Sequence, residues 1–109
     1  MAFTREEKAA IVSLIIEMIN SDGSVTYQEL LTTNVIVREL AVDADTFNLG
    51  VRLKPEHAMA LVSRLDDSKK IAVGKLLTRA IDADGNVDTR ELALLGTICR
   101  ATGIDKLLS

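Results

Sequence analysis

Apolar residues recur three and four positions apart along most of the chain, the period of an amphipathic helix. The β-branched runs fall inside that spacing, so no strand is predicted. The first helix is expected from Thr4 to Asn20, with Ile11, Leu14, Ile15, Met18 and Ile19 on its main apolar face. Val12 and Ile16 widen that face until only Glu6, Ser13, Glu17 and Asn20 remain polar. Such a helix is either central in the fold or shared with a partner chain. A second helix, Thr26 to Ala41, is expected to bury Leu30, Leu31, Val37 and Leu40. Asp43 or Asp45 caps a short helical turn ending near Gly50. Pro55 suits the first position of a helix reaching Leu65, where its missing amide proton costs nothing. Asp66, Asp67 and Ser68 supply caps for a helix to Asp82, burying Ile71, Leu76, Leu77 and Ile81. The last helix runs from Asp88 to Thr102 and ends at Gly103, a left-handed terminator. Thr4 with Glu7, Thr26 with Glu29 and Asp88 with Glu91 each have the spacing of a capping box.

The pattern repeats. Residues 8–43 overlay residues 70–105 without a gap, and the offset is 62 throughout. Twelve of these 36 positions are identical, among them Lys8/Lys70, Asp22/Asp84, Gly23/Gly85, Glu29/Glu91 and Arg38/Arg100. The predicted fold is therefore all-α: one domain, residues 1–109, a compact multi-helix bundle. It is built from two helix–loop–helix repeats with shorter central helices between them. Both repeats place Asp-Gly-x-Val-x-x-x-Glu between their helices.

Composition narrows the function. Hydrophobic residues at 48% and charged residues at 27% belong to a globular chain rather than a disordered one. Thirteen Lys and Arg against sixteen Asp and Glu give a net charge of −3, which argues against a generally basic nucleic-acid binder. Tyr27, Phe3 and Phe47 are too few for a base-stacking platform. One cysteine, Cys99, excludes an internal disulfide and reads as an inert, buried thiol. No apolar run reaches a membrane span and no secretory pattern opens the chain, so a cytoplasmic location is expected. His57 has no second histidine at metal-ligand spacing, and no catalytic constellation is present. Charge is segregated: residues 52–79 carry seven Lys and Arg against three acids, while both flanks are acidic. That basic stretch is solvated helix surface or a face for an acidic partner or anionic membrane surface.

The loops Ser21-Asp22-Gly23-Ser24-Val25 with Glu29, and Ala83-Asp84-Gly85-Asn86-Val87 with Glu91, resemble the TerB-like tellurite-resistance family over nearly the whole chain. That family is all-helical and carries such loops between long helices, and a related domain precedes the J domain of some membrane-anchored co-chaperones. The resemblance implies a cytoplasmic stress-response module without enzymatic chemistry. It also implies association with membrane-surface stress proteins and acidic positions that hold a divalent cation.

Two accounts of the loops stand side by side. Aligned on a calcium EF-hand with Gly85 at position 6, Asp82, Asp84, Asp88 and Glu91 fall at positions 3, 5, 9 and 12. Position 1 is Ala80, which has no side-chain oxygen. The first loop offers Asn20, Asp22, Thr26 and Glu29 with Met18 at position 1, so neither loop is a complete EF-hand. Capping explains positions 9 and 12 by itself. It does not explain Asp82 and Asp84, which sit where a helix C-terminus disfavours negative charge by about 0.3–1 kcal/mol each. The candidate metal ligands are therefore Asp82, Asp84, Asp88 and Glu91 in the second loop, with Asp22 and Glu29 in the first. No cofactor is required, and calcium or magnesium is the expected ion. The expected partner is a protein rather than nucleic acid, with a homodimer left open. The alternative is a metal-independent adaptor using an apolar helix face, such as that of the first helix, or the central basic segment.

Overall fold

A computed structural model describes residues 2–21, Gly23, 26–82 and 88–108, with the backbone alone at Leu108. Seven helices follow one another among these residues: α1 (Arg5–Ile19), α2 (Tyr27–Glu39), α3 (Ala44–Arg52), α4 (Pro55–Ser63), α5 (Asp67–Ile81), α6 (Thr89–Thr102) and α7 (Ile104–Leu108). The fold is an all-α bundle, and no strand occurs among the described residues.

The ends are set by local chemistry. Thr4 and Thr26 form complete capping boxes with Glu7 and Glu29. Asp43 and Asp66 accept from the amides of Thr46 and Lys69, three residues on. Pro55 opens α4, whose Lys54 cap makes no side-chain bond. At Asp88 the expected box is replaced by a different cap: Oδ1 accepts from the Arg90 amide at 2.7 Å, one residue earlier. Asp88 has ψ 140°, against 159° to 172° at the four caps that reach the third residue.

Helix α1 is the axis of the molecule and touches α2, α3, α4, α5 and α6. Its apolar residues from Ala9 to Ile15, with Met18 and Ile19, are buried, so the face left open between core and partner belongs to the core. Each such Leu or Ile contributes about 1.5–3 kcal/mol by leaving water. The buried faces of the two repeats coincide at the 62-residue offset. In α2 the buried residues are Glu29, Thr33 and Ile36, and in α6 they are Glu91, Leu95, Ile98 and Thr102.

That correspondence corrects the expectation for α2. Leu30 and Leu31 are exposed rather than buried, and Val37 and Leu40 are only half-buried. The inward face is lined by Glu29 and Thr33 beside Ile36, with the Thr33 hydroxyl satisfied by the Glu29 carbonyl at 2.8 Å. Ile71 and Leu76 of α5 are half-buried too. The turn expected before Gly50 is a nine-residue helix, and α7 extends the chain's helical part beyond Gly103.

Candidate site at the loop and helix junctions

Both Asp-Gly segments lie at one kind of junction, between the first and second helix of a repeat. Asp22 and Asp84 lie outside the described residues. Gly23 has φ +77°, which permits the chain to reverse after α1. Asp82 is the exposed C-cap residue of α5, Asp88 the N-cap of α6, and Glu91 the third residue of α6. Among the described residues no group of three or more His, Cys, Asp or Glu side chains is gathered closely enough to hold a metal. Arg79, a candidate counter-charge for Asp82, is engaged elsewhere: its Nη1 lies 2.9 Å from Glu39 Oε2 of α2. The hydrogen bond from Arg79 holds the Glu39 carboxyl below its usual value, with burial acting against it.

Glu29 and Glu91 distinguish themselves by burial, at 2% and 3% exposure. Glu29 Oε1 accepts from the Thr26 amide at 2.9 Å, while the Glu29 amide donates to Thr26 Oγ1 at 3.1 Å. The capping box therefore uses one carboxylate oxygen. The other, Oε2, is shut away from solvent and accepts no hydrogen bond among the described residues. Glu7 provides an internal comparison, since its identical box with Thr4 is shared with the Lys69 ammonium at 2.8 Å. A buried acceptor left unmatched costs about 1–3 kcal/mol. The enclosed oxygen of Glu29 is thus a place where a hard cation or an ordered water is chemically suited, and Glu91 holds the corresponding position of the second repeat. The shared offset marked both glutamates as equivalent. Their burial was hidden because a glutamate three residues after an N-cap, Thr26 or Asp88, reads as a surface cap.

Other polar groups are less suited to chemistry. Burial, then the neighbouring Asp105, push the Cys99 thiol up, opposed by Arg100, which keeps it protonated and unreactive near neutral pH. His57 is exposed on α4.

No protein-family model and no curated protein matches the chain. The fold does occur among solved structures. The crystal structure of a protein of unknown function from Porphyromonas gingivalis W83 is similar with a TM-score of 0.78 and 24% identity. The match covers 99% of this chain and 94% of that one. At that identity the likeness concerns the fold alone.

Proposed function

We propose that the chain is a non-catalytic, cytoplasmic stress-response or scaffold module of TerB-like type whose Asp-Gly loops bind a divalent cation weakly. The observation that carries this reading is the enclosed Oε2 of Glu29, unmatched among the described residues, with the buried Glu91 at the corresponding position of the second repeat. Calcium or magnesium suits carboxylate oxygens best. Asp22 would complete the first site with Glu29, and Asp82, Asp84 and Asp88 the second with Glu91. Binding neutralises the clustered carboxylates, stiffens the loop and changes which partner the acidic end accepts.

The test is a thermal melt in EDTA and then in millimolar calcium, magnesium, manganese or zinc. An ion at about 100 times its dissociation constant adds roughly 2.7 kcal/mol. For a domain of this size that corresponds to a rise of roughly ten degrees. The rise is expected for one ion and is expected to disappear in Glu29→Gln/Glu91→Gln. No rise with any ion removes the cation from the proposal.

A second reading, a metal-independent adaptor, draws support from α2. Its solvent face carries Tyr27, Leu30, Leu31 and Val35 at 70%, 51%, 42% and 45% exposure. The apolar first helix is not available for this role, being the core. Among the described residues no helix is long and apolar enough to cross a membrane.

A further inference from the structure

Helices α2 and α6 hold equivalent places in the two repeats. Positions 27, 30, 31 and 35 of α2 are exposed, and so are their counterparts 89, 92, 93 and 97 of α6. The side chains there differ. Tyr27, Leu31 and Val35 stand where the other repeat has Thr89, Ala93 and Thr97, and only Leu30 and Leu92 agree. The repeat therefore accepts small or polar residues at these places, and packing within the chain does not call for the apolar ones of α2. From Tyr27 to Val35 the one charged residue is the buried Glu29, so the solvent face of that stretch carries no charge. A contiguous exposed apolar face of this kind marks an interaction surface.

The shape of the face says what covers it. Tyr27, Leu31 and Val35 follow one another at four-residue spacing and form a single ridge along the helix, with Tyr27 at one end, 70% exposed. Toward the other end Leu31, Thr32 and Val35, with Arg79 and Asp82 from the end of α5, line a hollow of about 290 Å³. A projecting aromatic ring and an apolar hollow with a polar rim thus share one face, roughly 12 Å apart along the helix at 1.5 Å per residue. A two-fold axis set across α2 at Leu31 makes this face its own complement. The second helix then runs antiparallel, Leu31 meets Leu31 of the other copy, and each Tyr27 comes over the other copy's Val35. We propose that the chain pairs with a second copy of itself through α2, each Tyr27 seated in the hollow of the other. The ring lies against Leu31 and Val35, and its hydroxyl donates to the Asp82 carboxylate at the rim, the apolar body and polar tip of a tyrosine matching the two parts of the hollow. A partner of different sequence would have to bring a ring and a hollow of its own, whereas a second copy supplies both by symmetry. With 13 residues α2 is roughly 20 Å long, and one face of it covers less than the ~800 Å² per partner of a standard interface. The dimer is accordingly weak and forms as concentration rises. It needs no cation at the loops.

The test is sedimentation equilibrium of the intact protein in EDTA from about 10 μM to about 1 mM, the upper end being the limit of a weak interaction. A reversible monomer–dimer equilibrium is expected, with amide NMR shifts on dilution at residues 27–35, Arg79 and Asp82. Leu31→Glu sets like charges face to face at the axis and is expected to leave the chain monomeric throughout, with a melt showing that the variant remains folded. Tyr27→Ala is expected to weaken pairing about tenfold or more, and Tyr27→Phe, which keeps the ring and loses the hydroxyl, by less. Leu92→Glu, at an exposed position of α6, is expected to change nothing. A chain that stays monomeric at 1 mM overturns the proposal and gives the face to a different partner. A dimer that Leu31→Glu leaves intact overturns it, as does one that Leu92→Glu breaks equally or one whose shifts spare Arg79 and Asp82.

Discussion

Glu7 and Lys69 stand 62 residues apart, at the same position of the two repeats, and bind each other: Lys69 Nζ lies 2.8 Å from Glu7 Oε1. Equivalent residues meet at a two-fold axis and also in translational stacks, so the reciprocity of the other contacts decides between them. The two repeats are therefore arranged as the halves of a pseudo-symmetric dimer, with α2 against α5 and α6 against α1. At such an axis identical charges repel. Here one repeat supplies an acid and the other a base, each as the third residue of a capped helix.

This arrangement makes the pair interchangeable. Glu7 closes a box on Thr4, and a glutamate at 69 would close the same box on Asp66. Glu7→Lys and Lys69→Glu are each expected to cost about 1–2 kcal/mol, from a lost charged hydrogen bond and a new repulsion. The double exchange should return to within about 1 kcal/mol of the parent. Urea unfolding of the four proteins measures this, and additive losses would count against the symmetric arrangement.

The same pair sets part of the acid response. Burial raises the Glu7 pKa, but hydrogen bonds from Lys69 and Thr4 outweigh it and hold the carboxyl below its ordinary value of 4.5. A lowered folded pKa means the contribution is complete above the unfolded value and is lost as pH falls through the folded one. Lys69→Met is therefore expected to be less stable than the parent near neutral pH and to lose less stability between roughly pH 5 and pH 3. Melts across that range give the two slopes, which should converge at the acid end.

Helix α2 ends on an alanine in a glycine's conformation. Ala41 has φ +54°, and its amide and that of Val42 bond back to the carbonyls of Arg38 and Val37, a full Schellman closure. The equivalent residue of the other repeat is Gly103 at φ +82°. Lys8 Nζ reaches the Ala41 carbonyl at 3.4 Å, and its equivalent Lys70 lies beside Gly103. The left-handed conformation costs an L-residue about 1–2 kcal/mol, partly offset by the entropy a glycine loses on folding. Ala41→Gly is expected to stabilise by about 0.5–1 kcal/mol and raise the melting temperature by a few degrees. An unchanged or lower melting temperature would contradict this account.

Much of this framework was legible. Helix starts at Thr4, Thr26 and Pro55, the stop at Gly103 and the repeat itself are local signals that tertiary packing left intact. The inward face of α2 was not, because Leu30, Leu31, Val37 and Leu40 have helical spacing and are more apolar than Glu29 and Thr33. The offset alone does not choose the face, since it pairs Leu30 with Leu92 and Val37 with Cys99 as readily as Thr33 with Leu95 and Ile36 with Ile98. At the candidate site the residue types and their junction were legible, whereas the burial of Glu29 depends on the helices that enclose it.

That reassignment has a direct energetic consequence. Ile36 is buried in the core, while Leu30 is half exposed to water. Ile36→Ala is expected to cost about 2–5 kcal/mol, and Leu30→Ala under about 1 kcal/mol because it opens no cavity. Comparable losses at the two positions, measured by denaturant unfolding, would restore Leu30 to the core.

Gly50 offers the sharpest test of how the first repeat is closed. In an open helix, alanine would be better than glycine by about 1 kcal/mol. Here the added Cβ meets the Ala9 backbone oxygen and the Val12 side chain, both at 2.8 Å. The oxygen belongs to the central helix and cannot turn aside, so α3 must lift away and loosen the hydrogen bond from the Ser13 hydroxyl to the Leu53 carbonyl. Gly50→Ala is therefore expected to destabilise by about 1–3 kcal/mol despite its better helix propensity. Val12→Ala removes Val12 Cγ1 but not the clash with the backbone, so the double variant should recover only part of the loss. Full recovery would show that the side chain, and not the close approach of the two backbones, sets the crossing.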